Sequence, residues 1–218
     1  WERLRPELAR HGYRSHALDL PGHGQDATPR QQVTWLSQVE ALDHFVQELG
    51  TNDVILVGHS LAGVLIPEVA NRSRDVVQQL VFLASMVLDP GECALDTMDA
   101  DVREQFLEMA ETSADRTVLL DYELARVKFF RGLSDAEARE CYEKTTPQPF
   151  DVFAEPARIR VSDLEIPVRY LGFTQDAAIP RERALGFARK AGVPIEMMES
   201  AHGAMLSDPK ELADRLIA

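Results

Sequence analysis

Basic charge is scarce in this chain: 23 Lys and Arg stand against 36 Asp and Glu, giving a net charge of −13 at pH 7. No cluster of Lys or Arg interrupts that balance, which argues against nucleic acid and anionic membrane surfaces as partners. Cysteine is scarcer still. Cys93 and Cys141 stand alone without metal-ligand spacing, and two cysteines make no disulfide framework, so reduced thiols in a cytoplasmic protein are expected. Long apolar runs are lacking as well. The longest, Leu80–Leu88, falls far short of the roughly 20 residues that span a bilayer and reads as a core strand running into a loop. Internal repeats, low-complexity tracts and a signal peptide are not visible.

What is present is strand–helix alternation in 218 residues of ordinary globular composition, the size of one domain carrying an insertion. Leu4 and Leu8 share one face of a short helix ended by Gly12, with Pro6 near its first turn. Tyr13–Leu20 reads as a strand closed by the turn Pro21-Gly22-His23-Gly24. A helix runs from an N-capping Thr34 through Trp35, Val39, Leu42, Val46 and Leu49 to Gly50. Val54–Val57 and Val81–Ala84 are buried-strand runs. Val168–Phe173 is another strand, followed by a helix over Arg181–Ala191 and a short strand over Ile195–Met198. Asp208-Pro209 caps a final helix, with Glu211 placed for a capping box. Such alternation predicts a mostly parallel sheet flanked by helices, an α/β fold.

Between Asp89 and about Ser162 the alternation stops. Helices are predicted over Asp101–Ala110, over Val118–Phe130, and from Ser134 onward. Phe106, Leu107, Phe129 and Phe130 are too apolar for free helices in solvent. The segment 89–162 therefore reads as a helical cap on a core made of residues 1–88 and 163–218, placed where ligands bind a parallel sheet.

The most informative stretch is Gly58-His59-Ser60-Leu61-Ala62-Gly63. A serine flanked by small residues between a buried strand and a helix is a nucleophile elbow, in which Gly58 and Ala62 must be small where backbone comes close. The hydroxyl of Ser60 would project above the sheet, and the Leu61 N–H would point at an oxyanion. The matching base is His202, in a loop between the last strand and the last helix. The orienting acid is Asp176, after the Val168 strand, with Asp89 as the rival. Pro67 inside the elbow helix should kink it.

Three stretches carry a family resemblance: Asp19-Leu20-Pro21-Gly22-His23-Gly24, the serine stretch, and Ala201-His202-Gly203-Ala204-Met205-Leu206-Ser207-Asp208-Pro209. With Thr174-Gln175-Asp176 they resemble an α/β-hydrolase, and within that group the plant methylesterase and hydroxynitrile lyase-like branch with its bacterial relatives. The resemblance implies a serine hydrolase acting on a small to medium apolar carboxylic ester through an acyl-enzyme. Ser60, Asp176 and His202 would be its triad, Leu61 would line the oxyanion hole, and His59, Phe129, Phe130 and Met205 would contact substrate. No cofactor or metal is implied; a small-molecule ester is the expected partner, with a homodimer as the candidate assembly. The family's lyases carry a lysine directly after the histidine, where this chain has Gly203, which favours the esterase branch. A non-catalytic ligand-binding member of the fold is the other alternative. The resemblance also implies an N-terminal strand and a second oxyanion donor ahead of Trp1, in sequence this chain does not carry, with that strand lying between the Tyr13 and Val54 strands.

Overall fold

The computed structural model describes all 218 residues. Helix α1 (Leu4–Arg10) is followed by an extended stretch, then by α2 (Trp35–Glu48), where Thr34 and Ser37 form a reciprocal cap. Strand β1 (Val54–Ser60) leads through a short 3₁₀ turn into α3 (Ile66–Arg72), and β2 spans Val77–Ser85. The 89–162 segment contains α4 (Ala100–Thr112), β3 (Thr117–Val118), α5 (Tyr122–Lys128), α6 (Asp135–Glu143), β4 (Gln148–Pro149) and α7 (Asp151–Ala154). The chain closes with β5 (Val168–Phe173), α8 (Arg181–Ala191), β6 (Ile195–Met198), α9 (Ala204–Ser207) and α10 (Pro209–Ile217).

Strands β1, β2, β5 and β6 lie side by side in that order, all parallel. Their apolar side chains divide between two cores. One, built on Leu80, Phe82 and Tyr170, packs against α2, α3 and α8; the other, built on Leu83, Leu171 and Phe173, packs against α1 and α10. Because the strands are parallel, all four carboxyl ends emerge on one edge. The loops after β1, β5 and β6 therefore meet, although Ser60, Asp176 and His202 are far apart in sequence.

Four sequence expectations need correction. Tyr13–Leu20 forms no strand: β1 pairs with β2 alone, and nothing pairs with residues 13–20. All of those residues except Ser15 and Leu20 are exposed, so the stretch lacks both the ladder and the cover that a buried parallel strand requires. The helix expected over Val118–Phe130 starts only at Tyr122, capped by Asp121. Thr117 and Val118, both β-branched, pair instead with Pro149 and Gln148. Pro67 does not kink a helix, because the 3₁₀ turn over Leu61–Val64 ends first and leaves Pro67 in the first turn of α3. The capping box at Asp208 is not formed: its carboxylate accepts from the Ser200 and Ser207 hydroxyls, both at 2.6 Å.

Candidate active site

Ser60 ends β1 with φ 56° and ψ −122°, a backbone conformation that residues with a side chain rarely adopt. Strain of this kind costs on the order of 1–3 kcal/mol and persists only where the surroundings enforce it. Here they do. The Ser60 carbonyl accepts from the Ser85 hydroxyl at 2.7 Å and from the Met86 N–H at 3.0 Å. The register between β1 and β2 slips at the same point, passing from His59 opposite Leu83 to Ser60 opposite Ser85. Ala84, bulged out with φ 41°, absorbs the extra residue. Tyr170 of β5 reaches across to fasten Ser85, donating its hydroxyl to the Ser85 carbonyl at 2.8 Å and accepting from the Ser85 N–H at 3.2 Å. Burial pushes the Tyr170 hydroxyl well above its ordinary pKa, so it remains a neutral donor.

Close approach explains the small residues of the elbow. A Cβ on Gly58 would lie 2.8 Å from Ile66 Cδ1, and one on Gly63 would lie 2.2 Å from the Met86 carbonyl oxygen. The sequence singled out Gly58 and Ala62; the structure adds Gly63, the tighter of the two glycines. Leu61 opens the 3₁₀ turn, so its N–H is among the donors such a turn leaves without an internal partner.

Asp176 and His202 come together at the ends of β5 and β6. The two strand ends continue as paired loops, with Thr174 N–H on the Met198 carbonyl at 3.0 Å and Gln175 N–H on the Ser200 carbonyl at 2.9 Å. His202 Nδ1 lies 2.8 Å from Asp176 Oδ2, with the two side chains 2% and 0% exposed. The other carboxylate oxygen, Oδ1, accepts the N–H groups of Ala178 at 2.7 Å and Ile179 at 2.8 Å. An acceptor-only carboxylate beside Nδ1 requires the proton on that nitrogen and leaves Nε2 as the basic one. Asp89, the rival acid, is paired with Arg160 instead.

The residues expected to contact substrate separate. Phe129 follows α5 and brings its ring to 5.6 Å from that of His202. Phe130 turns the other way into a small core with Ala125, Leu133 and Ala138. Met205 is buried in the core that also holds Leu83, Phe173 and Leu212. His59 lies behind the base, its Nε2 3.0 Å from the His202 carbonyl oxygen. The 89–162 segment also grips the acid and base loops. Lys128 Nζ donates to the Ala177 carbonyl at 2.8 Å, and a Cβ on Gly203 would come within 2.5 Å of the Phe129 carbonyl oxygen. Sequence reasoning missed Tyr170 and Ser85: a tyrosine in an apolar strand and a serine at a strand end carry no signal until the pairing is known.

A serine on a strained strand-to-helix turn and a buried carboxylate–imidazole pair thus lie on the same sheet edge. The chain belongs to the Alpha/beta hydrolase family, whose profile matches residues 1–215. Salicylic acid-binding protein 2 of Nicotiana tabacum is 27% identical over 241 residues, covering 100% of this chain and 90% of its own length. The pimeloyl-[acyl-carrier protein] methyl ester esterase of Pectobacterium carotovorum is 23% identical, covering 100% of this chain and 88% of its own. Among solved structures, an extracellular alpha/beta-hydrolase from a Paenibacillus species superposes with TM-score 0.92 at 24% identity, covering 100% of this chain and 91% of that one. No helix is long and apolar enough to cross a membrane.

Proposed function

We propose that this protein is a carboxylic ester hydrolase in which Ser60 forms an acyl-enzyme with small to medium apolar esters. The observation that carries the reading is the buried Asp176–His202 pair on the sheet edge where the strained Ser60 emerges. Ser60 Oγ attacks the ester carbonyl while His202 Nε2 takes its proton. His202 then returns that proton to the departing alcohol, and a water activated by the same nitrogen releases the acid. Asp176 keeps Nδ1–H oriented and stabilises the imidazolium. The Leu61 N–H faces the developing oxyanion, an interaction of about 3 kcal/mol in comparable sites. The 89–162 segment covers the acid and base loops and selects among esters. Because relatives that span the chain include one named for methyl ester hydrolysis, methyl esters belong first in a substrate panel.

The (S)-hydroxynitrile lyase of Manihot esculenta is 34% identical over 91 residues, 41% of this chain, and a lyase is the competing reading. It lacks support at residue 203, where the cap's Phe129 carbonyl occupies the space that any side chain would need.

The test is labelling with a fluorophosphonate followed by an ester panel. Ser60 should be the residue labelled, and Ser60→Ala should remove labelling and turnover together while the fold melts as the wild type does. Labelling elsewhere, or turnover surviving in Ser60→Ala, refutes the proposal.

A further inference from the structure

We propose that His59 is a positioning residue for this reaction, its Nε2–H holding the His202 main chain so that the base stays in register with Ser60. The inference rests on the acyl-enzyme reading and extends it to a side chain that the mechanism leaves unused.

The Asp176 bond fixes the ring of His202 but not the main chain that carries it. A bond at Nδ1 sets tautomer and ring orientation, and it can be kept while the whole loop shifts toward or away from the elbow. The His202 carbonyl is held separately, by His59 Nε2 at 3.0 Å. That contact is the one hydrogen bond between the elbow residues 58–61 and the loop residues 199–203. His59 directly precedes Ser60 in β1, so the bond measures the base against the nucleophile with a single peptide bond between the two residues.

The chemistry of the pair fixes the state of His59. A carbonyl oxygen only accepts, so Nε2 carries the proton. Burial, and then the neighbouring His202, hold the His59 pKa well below the usual 6.5, so the ring stays neutral with a single tautomer. Neutrality suits the position: the two imidazole centroids are 4.5 Å apart, and a cation there would oppose the imidazolium that His202 becomes during turnover. Trp1 closes the other side, its ring centroid 6.1 Å from that of His59.

The test compares His59→Gln, His59→Asn and His59→Leu in the full-length protein, with Ser60→Ala alongside. The glutamine amide nitrogen reaches about as far as Nε2 and can still donate to the carbonyl. Asparagine stops short, and leucine cannot donate. A displacement near 1 Å at a reacting group costs up to about 100-fold. His59→Leu and His59→Asn should therefore lose at least about tenfold in kcat and in the rate of fluorophosphonate labelling at Ser60, with KM within about twofold, while His59→Gln stays within about threefold of wild type. If leucine prevents folding, the contrast between glutamine and asparagine decides. Wild-type kcat in the asparagine variant, glutamine as slow as asparagine, or a loss confined to KM overturns the positioning role. Ser60→Ala separates the two claims: its inactivity alongside fully active His59 variants rejects positioning alone, whereas residual turnover in Ser60→Ala rejects the acyl-enzyme reading itself.

Discussion

The Asp176 carboxylate divides its oxygens between two tasks, and the division makes it hard to replace. Oδ2 meets His202 Nδ1, while Oδ1 caps the N–H groups of Ala178 and Ile179. An asparagine in this place must aim its NH₂ either at the imidazole, which reverses the tautomer, or at two backbone donors, which leaves them buried and unpaired. Asp176→Asn should therefore reduce kcat by 10²-fold or more, toward the ~10⁴-fold seen when an orienting aspartate becomes an amide elsewhere. Asp89→Asn, which loses only the partner of Arg160, should stay within about threefold on the same ester, since such exposed pairs are worth about 1 kcal/mol or less. The reverse ranking in steady-state kinetics would transfer the acid to Asp89. Tyr170 is exposed to the same logic from the structural side. Tyr170→Phe keeps the ring but strands the Ser85 N–H and loosens the carbonyl grip on Ser60. A loss of about 1–3 kcal/mol in denaturant melts is expected, together with slower Ser60 labelling, because the elbow's backbone strain would lose part of its support.

At the scale of elements, what was legible in the sequence is what depends on local pattern. Val168–Phe173, Arg181–Ala191 and Ile195–Met198 have the limits that their local pattern predicts, each being set by the spacing and end signals of its own residues. The Thr34 cap was equally readable, since a cap is made by residues three positions apart. Tyr13–Leu20 has the composition of a strand but not the partner, and a ladder is a property of two segments. The bulge at Ala84, the Tyr170–Ser85 link and the β3–β4 pair were hidden for the same reason. Of the candidate site, the turn that carries Ser60, the loop that carries His202 and the position of Asp176 after β5 could be read in the chain, whereas the cores that enclose Phe130 and Met205 could not. The interface between α5 and the His202 loop is likewise a meeting of distant segments, and it can be probed at one atom. Gly203→Ala places a Cβ 2.5 Å from the Phe129 carbonyl oxygen, so backbone must move. Overpacking of this sort costs about 1–3 kcal/mol. Thermal melts should show the loss, and kcat/KM should fall as the base loop shifts. An alanine variant with wild-type stability and activity would mean that the 89–162 segment yields freely at this contact.

For the whole molecule, acid sensitivity follows from two histidines that the fold keeps neutral. Burial, then Arg30, lowers the pKa of His23, whose Nδ1 lies 3.2 Å from the Thr146 hydroxyl; burial, then His202, lowers that of His59. In the unfolded chain both titrate near 6.5. Between that value and their lower folded values, the unfolded state binds more protons than the folded one. Stability then rises with pH, and it is lost as pH falls below about 6.5. The lowered carboxylates act later: Glu137, held near 2 chiefly by the Ser134 hydroxyl, begins to count only as pH drops through its ordinary 4.5. One effect opposes the histidines. The net charge of −13 shrinks as pH falls toward the pI near 4.9, which relieves self-repulsion. That term acts over distance and is screened, with a Debye length of about 8 Å at physiological salt and about 3 Å at 1 M, whereas the desolvation of two half-buried rings depends far less on salt. Raising the salt should therefore steepen the loss of Tm between pH 7.5 and 5.5, both of these values bracketing the ~6.5 of the free imidazole. His23→Gln combined with His59→Gln should flatten the same slope, each glutamine keeping a polar end without a titrating ring. A slope unchanged by the double substitution would assign the acid sensitivity to other groups.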